Sequence, residues 1–285
     1  MTHDFTVQLR SQQEWSWLVA IDLFLGGLGG GLFLFYELWE LPVSIGLLSL
    51  GLVVVGGVVL LMELGHPWRA WRAICRPFSS WISRGVIFVS LFVISSSLYI
   101  APALDLFSWL PWDPLSLGGK VLGVIAGVSA CLVALYPGFV LSASPSIPSW
   151  NSPLLPVLFF SQSLTGASGI LLLLSPLGLL NQRLEGISSL AALLIVANFV
   201  LIAFYLMVLK KSGLAAQESV RHLNEGSLSR TFQVGVILLG TVVPLLIVVW
   251  IPSAVVLAGA LVLIGGLLFR YCVLKSGVYV PFAIT

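Results

Sequence analysis

Long apolar runs separated by short polar breaks dominate the chain, and each run is about the length needed to cross a hydrocarbon core of roughly 30 Å. On that criterion, spans are predicted near residues 17–39, 44–64, 85–104, 117–141, 153–175, 187–210, 231–250 and 253–273. The expected fold is therefore an all-α integral membrane protein of eight transmembrane helices. Residues 1–16 form a polar N-terminal segment, 17–275 the membrane domain and 276–285 a C-terminal tail. The first apolar run has no small-residue cleavage site, so it is read as a retained helix.

Composition fits a chain solvated by lipid: 59% of the 285 residues are hydrophobic and only 8% are charged, against roughly a quarter in soluble domains. A net charge of +2 points to no nucleic-acid partner. The ten tryptophans (Trp15, Trp17, Trp39, Trp68, Trp71, Trp81, Trp109, Trp112, Trp150, Trp250) fall at or near span ends, where the headgroup layer suits an amphipathic ring.

Charge placement orients the chain. Arg10, Arg69, Arg72, Arg76, Arg84, Lys210, Lys211, Arg221, Arg230, Arg270 and Lys275 share the side of both termini, and only Lys120 and Arg183 lie opposite. This asymmetry predicts cytoplasmic N- and C-termini in a prokaryotic inner membrane. The segments 66–84 and 210–230 then form the main cytoplasmic surface, and neither is long enough to fold alone.

Asp22 stands out as the only acidic or basic residue well inside any predicted span, at an insertion cost of about 2.5 to 3.5 kcal/mol. It is either paired with a neighbouring helix or a proton-handling, ligand-binding group. Glu63 and His66, at the cytoplasmic end of the second span, are further candidates for proton transfer. Their structural alternative is a Glu63 ion pair with Arg69 or Arg72. The glycines Gly26, Gly27, Gly29, Gly30 and Gly31 lack the Lys-Ser or Lys-Thr of a phosphate loop and read instead as a surface for close helix packing. Ser163, Gly166 and Gly169 echo this in the fifth span and suggest two four-helix halves, 17–141 and 153–273. Ser161, Gln162, Thr165 and Asn198 are polar enough to hold a file of water.

Resident redox centres are not expected. The cysteines Cys75, Cys131 and Cys272 form no C-x-x-C pair and read as packing residues. The histidines His3, His66 and His222 do not supply the paired intramembrane ligands of a b-type haem. Metals and covalent cofactors are thus expected to be absent, with electrons passing between a partner's cofactor and a diffusible carrier in the membrane.

Several strings then resemble the NrfD/PsrC family of membrane subunits in polysulfide-reductase-like complexes. They are Trp15-Ser-Trp17 with Asp22-Leu-Phe-Leu-Gly-Gly-Leu-Gly-Gly-Gly31; Glu63-Leu-Gly-His-Pro67-Trp-Arg69 ahead of Ser79-Ser-Trp-Ile-Ser83-Arg-Gly85; and Tyr136-Pro-Gly138, leading to Pro153-Leu-Leu-Pro156-Val-Leu-Phe159 and Ser163-Leu-Thr-Gly166. They occur in the family's order across the first five spans.

The resemblance implies a quinone-interacting anchor that exchanges electrons between a docked iron-sulfur, ferredoxin-like subunit and the quinone pool, menaquinone or ubiquinone, with or without proton translocation across the membrane. That partner is in turn joined to a catalytic subunit, often of molybdenum type. It implies Tyr136 as the quinone's hydrogen-bonding tyrosine, Asp22 where the family often has histidine, and His66 as a further quinone ligand. Asp22, Glu63 and His66 become proton-transfer candidates, and Arg69, Arg72, Arg76 and Arg84 a docking surface. Two other readings compete: a proton-coupled secondary transporter with Asp22 as its coupling site, and a purely structural membrane anchor.

Overall fold

A computed structural model describes residues 9–63, 66, 71–72, 74–180 and 183–280. Eight of its helical segments are long and apolar enough to cross a membrane. They begin with α1 (Trp17–Leu38), α2 (Val43–Glu63), α3 (Trp81–Ile100), α4 (Leu117–Ser142), α5 (Leu154–Leu173) and α6 (Leu184–Lys210). After a short helix α7 (Leu214–Asn224), the seventh span combines a π-helix (Thr231–Val242) with α8 (Val243–Trp250), and α9 (Val255–Lys275) completes the set. The protein is an all-α, multi-pass membrane protein.

Most ends match the apolar runs to within a few residues, and local chemistry accounts for them. Ser16, Ser80 and Ser116 cap α1, α3 and α4 by accepting from the backbone N–H of Leu18, Ser83 and Gly119. Capping by Ser80 starts α3 one turn earlier than hydropathy alone suggests, and Pro102 lies just beyond its end.

Two features go beyond the hydropathy pattern. Helix α7 buries Ala215, Ala216, Ser219, Val220 and Leu223, a helical stripe in a segment expected to be plain surface. The π-helix is the other: Thr241 Oγ1 donates to Val236 O at 2.9 Å, five residues back, and the wide turns end where Pro244 supplies no N–H.

Helices α1 to α4 pack chiefly on one another, as do α5, α6, the π-helix with α8, and α9; α1 and α5 join the two groups. Glycine explains why α1 occupies the centre. A Cβ at Gly29 would strike Ser49 O of α2 at 2.6 Å, one at Gly30 Ala130 O of α4 at 2.6 Å, and one at Gly31 Ser163 O of α5 at 2.6 Å. Each glycine therefore seats a different neighbouring helix at backbone contact. The two chain ends also meet: β1 (Arg10–Ser11) pairs antiparallel with β2 (Val278–Tyr279), and Gln12 Nε2 donates to Leu274 O at 3.0 Å. Both ends of the described chain thus lie on the same face of the bundle.

Candidate functional site

Asp22 follows the start of α1 by five residues and is buried, 5% exposed. It lies within electrostatic reach of the Tyr136 phenol of α4. Tyr136 comes six residues before the end of α4 and immediately precedes Pro137, whose missing N–H interrupts the helix ladder at that turn. The phenol ring rests on Gly85 of α3: a Cβ there would lie 2.5 Å from Tyr136 Cε2 and 2.6 Å from Cδ2. Only a residue without a side chain leaves room for the ring.

One turn beyond Asp22, on the same side of α1, is Gly26. It is buried, yet a Cβ built on it would meet nothing within 4 Å. Among the described buried glycines it alone has open space in that direction. On the α2 side the helices are close: a Cβ at Gly56 would lie 3.3 Å from Asp22 O and 3.3 Å from Gly26 N. Asp22, Gly26, Gly85 and Tyr136 thus lie on α1, α3 and α4 near the face that carries the chain ends, beside the open hollow at Gly26. A carboxyl and a phenol within reach of one another can donate and accept hydrogen bonds to a planar carbonyl ligand.

The remaining sequence candidates lie elsewhere. Glu63 is half-buried at the end of α2 and His66 is exposed, so neither shares the burial of Asp22. Among the described residues no Glu63–Arg72 ion pair forms; Arg69 is outside the described residues. Arg72 and Arg76 are exposed, with Arg72 5.7 Å from the centre of the Trp71 ring. Arg84 is committed to its own loop, donating from Nε to Pro77 O at 2.8 Å and from Nη2 to Phe78 O at 2.9 Å while stacking on Trp81. Trp81 in turn stacks on Phe139 of α4 at 4.7 Å, which ties the loop to the helix bearing Tyr136. Of the three cysteines, Cys272 is packed in the core, Cys131 is half-buried and Cys75 is exposed, so packing does not describe them all.

The expectation that Asp22 is alone among charged residues well inside the spans, with Arg270 among the surface anchors, needs correction. Arg270 is 1% exposed within α9. Its Nε donates to Leu23 O at 3.0 Å and its Nη2 to Ser163 Oγ at 3.0 Å, so it bolts α9 to α1 and α5. The rings of Phe24 and Phe159 lie 5.6 and 5.1 Å from the guanidinium carbon. Nη1 has no hydrogen-bond partner, and among the described residues no carboxylate pairs with the group. A clue lay in the sequence, because apolar residues continue on both sides of Arg270 to Leu274 before the true anchor, Lys275.

Of the four polar residues read as a water file, Gln162, Thr165 and Asn198 come together, and Ser161 takes part through its backbone carbonyl. Gln162, Thr165, Asn198 and Thr241 line a cavity of about 10 Å³, the size of roughly one water. Asn198 Nδ2 donates to Thr165 Oγ1, to Ser161 O at 3.2 Å and to Leu194 O at 3.1 Å, while its Oδ1 is unpaired. This cavity lies among α5, α6, the π-helix and α9, a separate site from the Asp22 hollow.

A family model described as "Polysulphide reductase, NrfD" matches residues 6–282. The chain belongs to the NrfD family. It is 29% identical to Protein NrfD of Escherichia coli, the match covering 92% of this chain and 94% of that protein. The C subunit of polysulfide reductase from Wolinella succinogenes is 26% identical with the same coverages, and the NrfD homolog of Haemophilus influenzae 24% identical over 97% of this chain and 98% of its own. NrfD membership thus extends over all eight spans, including the last three, which carry none of the motif strings.

Proposed function

We propose that this chain is the quinone-interacting membrane subunit of a multisubunit oxidoreductase. It exchanges electrons between an iron-sulfur partner docked on the face bearing the chain ends and the quinone pool. The observations that carry this reading are the open hollow at Gly26, one turn from Asp22, and the Tyr136 phenol, within electrostatic reach of Asp22 and placed where only Gly85 accommodates it. Support for the subunit role comes from relatedness to a Wolinella protein whose name makes it one component of a polysulfide reductase. In a bilayer the terminal face is cytoplasmic by its excess of arginine and lysine.

The residues divide the work. Tyr136 donates its hydroxyl proton in a hydrogen bond to one quinone carbonyl, and the Asp22 carboxyl exchanges a proton with the same ring as it is reduced or oxidised. A quinone of either the menaquinone or the ubiquinone class presents those two carbonyls. Exposed Arg72 and Arg76 supply positive charge for a partner, while Glu63 and His66 at the rim pass protons toward the aqueous side. Arg84 contributes by holding the loop, since its donors are already engaged.

The test is quinone turnover by the assembled complex carrying Asp22→Asn or Tyr136→Phe. Both variants should assemble and lose about tenfold or more in rate. Undiminished turnover in both would remove the site assignment and favour a purely structural anchor.

A further inference from the structure

Asn198 leaves half of its amide without a partner in the middle of a span. It lies near the midpoint of α6 and is 2% exposed. Its Nδ2 donates to Ser161 O at 3.2 Å and to Leu194 O at 3.1 Å. Both are carbonyls that can only accept, so turning the amide over would set its oxygen against two other acceptors. Oδ1 is therefore the atom that lacks a hydrogen. A buried acceptor left in that state is costly, and native structures rarely tolerate one.

The cavity that Asn198 lines is rich in acceptors. Thr165 spends its hydroxyl hydrogen on Ser161 O at 2.9 Å, and Thr241 spends its own on Val236 O at 2.9 Å, so both can only accept further. Gly240 lines the cavity as well, where the π-helix gives way to α8. Pro244 has no N–H to offer the carbonyl four residues back, which is Gly240 O. That oxygen leans toward α9, 3.3 Å from the place a Cβ would take at Gly265, another lining residue. Gln162 adds a buried amide that can donate. The occupant of such a site must bring hydrogens, and about 10 Å³ admits one water and nothing larger. A metal cation is disfavoured: among the described lining residues there is no carboxylate, and Arg270 sets a buried positive charge one turn along α9 from Gly266.

We propose that one resident water is bound in this cavity and pins the seventh span to α6 at the turn broken by Pro244. It donates to Asn198 Oδ1 and to Gly240 O, and it accepts from the Gln162 amide. Three hydrogen bonds are the usual number for a buried water. The π-helix packs along α9 but meets α6 sparsely, so the water supplies a link that side chains do not make directly. It also stands in for the helical donor that proline lacks, which lets the wide turns pass into α8 without an orphaned carbonyl. The site is independent of the quinone reading.

High-resolution cryo-electron microscopy of the assembled complex, with thermal unfolding, tests this. At a resolution that shows waters elsewhere in the spans, a density peak should lie about 2.7 to 3.2 Å from both Asn198 Oδ1 and Gly240 O. No peak there overturns the proposal, as does a peak with six or more oxygens at about 2.3 to 2.6 Å, the signature of a metal cation. Asn198→Val should lower the unfolding temperature by several degrees. Pro244→Ala returns an N–H to the helix and takes one acceptor from the water. The fall caused by Asn198→Val should then be smaller by about 1 to 6 °C in the Pro244→Ala background. Equal falls in both backgrounds overturn the pin. Should Asn198→Val fail to assemble, Pro244→Ala alone decides: its peak should leave Gly240 O or vanish, and an unmoved peak overturns the proposal.

Discussion

The ring of Tyr136 occupies the volume that a side chain at residue 85 would need, so the phenol's position is set by the glycine at the start of α3. Gly85→Ala should displace the ring by roughly an ångström while leaving all eight spans in place. A misplacement of that size in a reacting group can cost on the order of 100-fold in rate. Quinone turnover of assembled Gly85→Ala complex should therefore fall at least as far as that of Tyr136→Phe.

Gly27 makes a different prediction, about stability. A Cβ there would press on Ser163 Oγ and lie 2.7 Å from Arg270 Nη2, where three helices are joined. Gly27→Ala should lower the thermal stability of the purified complex by about 1 to 3 kcal/mol, the usual range for overpacking. Adding Ser163→Ala should recover part of the loss, since the nearest obstructing atom is then gone. A melting series of the two single variants and the double variant checks this.

Trp150 links the loop between α4 and α5 to the end of α9. Its Nε1 donates to Val273 O at 2.9 Å from a buried position, and its ring packs tilted against Trp15 at 5.2 Å. Trp150→Phe should cost about 1 kcal/mol from the hydrogen bond, or more with the carbonyl left unpaired. Detergent-solubilised protein should show this as a lower unfolding temperature, with no change in the site around Asp22.

Orientation is tested by reporter tags. The β1–β2 pair puts both ends of the described chain on one face, and the arginine and lysine excess predicts that this face is cytoplasmic. Tags at the two termini should both report the cytoplasm. An external signal from either would move the partner's docking side across the membrane.

Much of this architecture was legible in the sequence because lipid imposes one strong rule: backbone groups must be satisfied within a span, so apolar length reveals helices. The span Trp17–Leu38 and the packing role of Gly29, Gly30 and Gly31 followed directly. What hydropathy does not encode is which way a polar side chain turns near a helix end. Arg270 and Glu37 both lie within a few residues of a span terminus, where anchors are common, and both turn inward. The π-helix is hidden for a related reason: its apolar residues fit an ordinary span, and Pro244 alone hinted at an altered hydrogen-bond register.

Within the proposed site, residue type and family resemblance single out Asp22 and Tyr136, while the contribution of Gly26 depends on three-dimensional space. A glycine in a packed helix looks the same in sequence whether another backbone fills the space beside it, as at Gly30, or nothing does.

That space provides the most direct measurement. Gly26→Ala adds one methyl group that meets nothing within 4 Å and should leave assembly and quinone turnover near wild type. Gly26→Leu extends a branched side chain into the hollow beside Asp22 and should abolish turnover in complex that still assembles with its partners. If Gly26→Leu assembles and reduces or oxidises quinone at the wild-type rate, the hollow is not where quinone reacts.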